Sequence, residues 1–128
     1  VVDSPFEDDS IEVVCWREMF LSVLGGSPAE AVGALGLGTE GIVRDLYKPF
    51  VKALNSLPDL QPSDVVFFPL HTAVDDHHQA TLLDIARYYS QTVQSRRDVA
   101  KGMRKALALR ASFWDWMYER AMECTPSK

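Results

Sequence analysis

The chain has 128 residues, 47% of them hydrophobic, which is one domain's worth of material with enough apolar side chains for a single core. Its formal net charge of −5, from 13 basic and 18 acidic residues, argues against nucleic acid or an anionic membrane as the main partner. Cys15 and Cys124 stand near opposite ends in no C-x-x-C or zinc-finger spacing, so a reduced, cytoplasmic setting is expected. No apolar run approaches a membrane span, and the acidic residues 1–9 do not resemble a signal peptide. The chain begins without Met, which leads us to expect a processed or excised piece of something longer.

Four helical segments are predicted, and none reads as a strand. The first runs from Asp9 or Ser10 to Leu24, with Val13, Val14, Met19 and Phe20 among its apolar positions, and Gly25-Gly26 stops it. Ser27-Pro28 restarts a helix, with a cap residue followed by proline at the first helical position. That segment is rich in Gly and Ala, so its backbone is suited to close packing at some cost in helix propensity. From Thr39 to Leu54 the pattern strengthens, with Glu40, Val43, Tyr47, Phe50, Val51 and Leu54 on one stripe and a kink expected at Pro49.

A loop, Asn55–Pro62, leads to Ser63-Asp64 and a helix predicted to reach Gln91, its start shifted toward Phe67 by Pro69. Ser95-Arg-Arg-Asp98 resembles a capping box and opens the last helix, which runs to about Glu123. Its apolar stripe is Val99, Met103, Ala106, Phe113, Trp114, Met117 and Ala121, with Arg110 at the centre. Arg96, Arg97, Lys101, Arg104 and Lys105 fall on its solvated face. Trp114 and Trp116 diverge by about 200°, so only Trp114 is core and Trp116 meets another helix or subunit. The expected organisation is one all-α domain over 1–128 with its core in 10–123, and flexible ends at 1–9 and 124–128.

All three histidines lie in one run, His71-Thr-Ala-Val-Asp75-Asp76-His77-His78. On a helix, His71, Asp75 and His78 fall within roughly 60° of arc, while His77 points elsewhere. Two imidazoles and a carboxylate are a ligand set for iron, manganese or zinc. The same face continues through Leu82, Ile85, Ala86 and Tyr89, which predicts that it is buried, and buried charge must be paired or metal-bound. A buried His–Asp hydrogen-bond network is the alternative. Glu40 is the acidic residue centred on its helix's apolar stripe; it either joins the metal set or pairs with Arg44 one turn on.

Taken together, Gly-Leu-Gly-Thr-Glu40-Gly-Ile-Val, the proline-containing helix, Phe67-Phe68-Pro-Leu-His71-x3-Asp75-x2-His78 and Phe113-Trp114-Asp-Trp-Met117 resemble the haem-oxygenase-like dimetal oxidases. These are helical proteins related in fold to thiaminase-like and pyrroloquinoline-quinone-synthase-like groups, and they bind non-haem iron. The resemblance covers about Ala29 to Met117. It implies a haem-oxygenase-like bundle, with Glu40, His71, Asp75 and His78 as metal ligands and no catalytic residue beyond them. It further implies iron, as two ions if the remaining ligands are supplied, with manganese as the alternative. The implied activity is O2-dependent oxidation of a small organic molecule such as an amine, amino acid or aliphatic acid.

The family's other ligands, a glutamate and a histidine about two turns apart, lie on earlier helices. Here the only preceding helix has no histidine, and Met19 stands seven residues after Glu12. Additional helices are therefore expected from a second chain or an N-terminal segment, in an oligomer such as a dimer. A wide apolar face on the last helix, with Phe113, Trp114 and Met117, points the same way. Arg110 is a candidate clamp for a substrate carboxylate, or else a buried partner for Asp64, Asp84 or Glu40. Tyr47, two turns beyond Glu40 on the same face, lines the pocket or serves as a redox-active phenol, or else packs in the core. Two other functions remain open: a metal-free helical interaction or dimerisation module, and a thiaminase-like hydrolase, which would need a cysteine in the pocket.

Overall fold

A computed structural model describes residues 10–123, except for the side chains of Pro62 and of residues 73–77. The two ends expected to be flexible, 1–9 and 124–128, lie outside the described residues. Ser10 caps helix α1 (Ile11–Leu24) by accepting from the Val13 N–H, and Gly25 ends it. Ser27 caps α2 (Pro28–Val32) in the same way through the Glu30 N–H, with Pro28 in the first turn. A π-helix over Gly33–Glu40 leads directly into α3 (Gly41–Leu54), which contains Pro49. A 3-10 turn (Pro62–Val65) precedes α4 (Phe67–Tyr88), and α5 (Val93–Glu123) ends the described chain. The described residues contain no strand.

The π-helix is the main local departure from the predicted α-helical pattern. Its wider turn shows in the Thr39 hydroxyl, which donates to Ala34 O five residues back (3.0 Å), and in the Gly41 N–H, which donates to Gly36 O. Runs of this length are rare because the i→i+5 turn is intrinsically unfavourable. Here the glycines make it compatible with the packing. A side chain at Gly33 would overlap the Val99 backbone, and one at Gly38 would come within 2.8 Å of Ala106 Cβ. Gly102 returns the contact from α5, where a Cβ would run into the Glu30 carbonyl. Backbone thus meets backbone between α2, the π-helix and α5.

A small core gathers Val23, Ala34 and Ala106, with Phe20, Leu24 and Leu109 packed on it. A second, aromatic cluster joins the other helices: Phe50 of α3 stacks on Phe68 of α4 at 5.5 Å and meets Trp114 of α5 edge-on at 4.8 Å. Tyr47 reaches His71 at 6.2 Å, and the Gln79 amide donates to Gly41 O at 3.2 Å. Pairing 50 with 68, 47 with 71 and 41 with 79 makes α3 and α4 antiparallel.

Three expectations change. The last helix starts at Val93, because the reciprocal cap is formed by Thr92 and Ser95, each backbone N–H donating to the other's hydroxyl at 3.0 Å; Asp98 instead accepts from Gln94. Lys101 and Lys105 are not merely solvated, since both bond to the buried Glu30. The apolar face of α5 is also narrower than expected within this chain. Phe113 lies against Trp16 of α1 and Trp114 against Phe50, while Met117 stays exposed. Trp116 meets Phe113 and borders a cleft shared with α1.

Candidate metal centre

Helix α4 is continuous through positions 71, 75 and 78, so the expected spacing is carried by one helix. His71 is half-buried, its ring 4.2 Å from that of Phe67. Its Nδ1–H donates to the Phe67 carbonyl one turn back, at 2.7 Å. A carbonyl can only accept, so Nδ1 holds a proton and, in the neutral ring, the lone pair is on Nε2. That tautomer is the one a metal-ligating histidine adopts when its other nitrogen is anchored to the backbone.

His78 is exposed and lines a cleft of about 420 Å³ together with Glu40, Thr81 and Leu82. Glu40 arrives there as the last residue of the π-helix. Among the described residues its carboxylate meets no cation within ion-pair distance, so the alternative pairing with Arg44, which is exposed, is not formed. The antiparallel register sets Glu40 level with His78 and Tyr47 level with His71, two helical turns apart. The side chain of Asp75, between the two levels, lies outside the described residues. Among the described residues no three His, Cys, Asp or Glu side chains converge closely enough to hold a metal ion. The donor set is nonetheless right in kind: two imidazoles and a carboxylate that meets no cation among the described residues, two of these groups in one cleft.

The face predicted to be buried is only partly so. Ala86 is buried and Leu82 half-buried, but Ile85 and Tyr89 are 38% and 36% exposed, because no described element of this chain covers that side of α4. Phe67 and Leu70, near His71, are exposed as well.

Arg110 lies on the α5 stripe between Ala106 and Trp114, with its Nε buried and without a hydrogen-bond partner among the described residues. None of its three expected partners takes it. The Asp64 carboxylate accepts from the Gln61 N–H at 2.9 Å, Asp84 pairs with Arg87 at 2.7 Å, and Glu40 meets no cation among the described residues.

Sequence reasoning missed Glu30, which is 6% exposed and bonded by Lys105 Nζ at 2.6 Å and Lys101 Nζ at 3.0 Å. Those two hydrogen bonds, that of Lys105 foremost, hold its carboxyl below the usual range despite burial. The available signal was the i, i+4 spacing of the two lysines, which puts both ammonium groups on one face of α5.

Cys15, exposed on α1, borders a different cleft, lined by α1 and α5 residues including Trp16 and Leu109. Its thiol does not enter the His78 cleft, and Cys124 lies outside the described residues. No helix among the described residues is long and apolar enough to cross a membrane.

Comparison with known proteins gives one family. A sequence profile for a haem-oxygenase-type family, described as "Iron-containing redox enzyme", matches residues 6–111. Comparisons with curated proteins and with solved structures found no match. The profile spans most of the chain, including α1 through α4, and the described structure is all helical as the resemblance implied. The chain belongs to this haem-oxygenase-like family of iron-containing redox enzymes.

Proposed function

We propose that the protein is an O2-activating non-haem iron oxidase or oxygenase acting on a small organic molecule such as an amine, amino acid or aliphatic acid, or the metal-binding half of one. The observation that carries this reading is the meeting of Glu40 and His78 in one cleft, with His71 on the same helix held in the ligating tautomer. Glu40, His71, Asp75 and His78 would hold the iron, and the two levels of donors suit two ions better than one. Iron bound there supplies one-electron and O2 chemistry that no side chain of the chain provides.

The chain's own residues set the conditions. The Phe67 carbonyl orients His71, Gln79 ties α4 to the start of α3 beside Glu40, and Tyr47, Phe50 and Phe68 make an apolar wall along His71. Four ligands fall short of the roughly six a two-metal site wants. Further helices, from a second chain or an N-terminal segment, would supply the rest and cover Phe67, Leu70, Ile85 and Tyr89.

Metal analysis after anaerobic Fe(II) loading tests the proposal. The intact protein should retain iron, and His71→Ala and His78→Ala should each lose most of it. No iron in the intact protein, or an unchanged content in His71→Ala, refutes the assignment.

A further inference from the structure

We propose that the outward face of α5 binds a second copy of this chain, with the two α5 helices antiparallel. The face consists of Lys101, Arg104, Ala108, Ser112, Asp115 and Glu119, all exposed and all within about 40° of one line along the helix. Its charge is divided: cations occupy the N-terminal half, carboxylates the C-terminal half, and the small Ala108 and Ser112 lie between. Lys101–Lys105 and Asp115–Glu119 are like-charged pairs one turn apart, an arrangement that weakens an isolated helix. Glu30 answers the two lysines within the chain, although one carboxylate against two ammonium groups leaves that end positive before Arg104 is counted. Among the described residues no cation answers Asp115 and Glu119, since the neighbouring Arg120 is held by Glu123.

The spacing makes this face complementary to itself. Positions 101 and 119, 104 and 115, and 108 and 112 are symmetric, to within one residue, about residue 110. A two-fold axis crossing α5 there sets Lys101 against the partner's Glu119, Arg104 against the partner's Asp115 and Ala108 against the partner's Ser112. The guanidinium of Arg104 suits a carboxylate bidentately, and the small central side chains let the helices approach. Beside them lies an apolar cleft of about 660 Å³ between α1 and α5, lined by Met19, Ser22, Leu109 and others, which the partner's helix would fill. Met19, 55% exposed in the single chain, would be covered. A parallel pair sets like charge against like, and an acidic partner of another kind meets Asp115 and Glu119, so the charge order selects the antiparallel copy. The face includes no residue of α4 and does not depend on the iron-site reading.

Sedimentation equilibrium of the full, iron-free chain tests this. The parent should dimerise, and its Kd should rise as salt goes from about 0.05 to 0.5 M, because the facing charges are screened. Arg104→Glu and Asp115→Arg each place like charges opposite one another twice per dimer and should each raise Kd by about tenfold or more. The double variant Arg104→Glu/Asp115→Arg exchanges the charges and should return Kd to near the parent value. The two positions are three helical turns apart within one chain, so a rescue reports contact between copies. A parent that stays monomeric, a dimer indifferent to both single variants, or a double variant that is not rescued overturns the proposal. Should circular dichroism show a charge variant misfolded, Ala108→Trp decides instead: its indole at the helix crossing should abolish the dimer. A dimer that survives Ala108→Trp, or whose Kd ignores salt, overturns the proposal as well.

Discussion

The contact between α2 and α5 is close enough that one methyl group should break it. In Gly102→Ala the new Cβ would collide with the Glu30 carbonyl oxygen, sit 2.8 Å from its carbon and come within 3.0 Å of the Ala34 nitrogen. All three are backbone atoms of packed helix, so no side-chain rotation relieves the overlap and α5 must move away from α2 and the π-helix. Overpacking of this kind costs about 1–3 kcal/mol, and a rigid backbone obstacle belongs at the upper end. Alanine returns up to about 1 kcal/mol through its better helix propensity. The net loss is about 2 kcal/mol, or roughly 8 °C in Tm for a domain of this size. Gly25→Ala is the control, because its Cβ would meet only Leu21 O at 3.5 Å and Ser22 O at 3.6 Å in ordinary contact. Thermal unfolding by circular dichroism should show Gly102→Ala well below the parent and Gly25→Ala within a degree or two of it. A Gly102→Ala protein as stable as the parent would refute the close backbone packing on which this fold depends.

Two further outcomes follow from the same region and from the α5 start. Glu30 has its folded pKa lowered by Lys105 and Lys101, so its contribution is complete above the ordinary glutamate value and fades as pH falls through the lower folded value. Urea unfolding from pH 7 to 3 should show a parent-minus-Glu30→Gln difference of about 1.5 kcal/mol at neutral pH, the low end for charged hydrogen bonds because both lysines stay half-exposed. That difference should shrink in acid, and a constant difference would contradict the pairing. Thr92→Ala removes the hydroxyl that accepts from the Ser95 N–H and should cost about 1 kcal/mol, whereas Asp98→Ala should leave the cap intact. Denaturant midpoints of the two variants decide it, and the reverse order would restore the Ser95–Asp98 box.

The helical class, the caps at Ser10 and Ser27, the stop at Gly25 and the stripe of α3 all follow from local pattern, since capping hydroxyls, proline placement and apolar period act within a few residues. The histidine spacing is equally local: one helix carries positions 71, 75 and 78, as the i, i+4, i+7 pattern requires. Tertiary structure decided the rest. The π-helix arises where Gly33 and Gly38 press against α5, an interaction between segments more than sixty positions apart that an α-helical period does not encode. Glu30 reads as an ordinary first-turn acid until α5 brings two lysines over it. Glu40 and His78 share a cleft only because α3 and α4 pack antiparallel in one register, and among the described residues Arg110 does not meet the expected carboxylates, Asp84 having settled on Arg87 and Asp64 on its own turn. Sequence periodicity assigns a residue to a face of its own helix; what that face meets is fixed by how backbones approach and which charges find each other first.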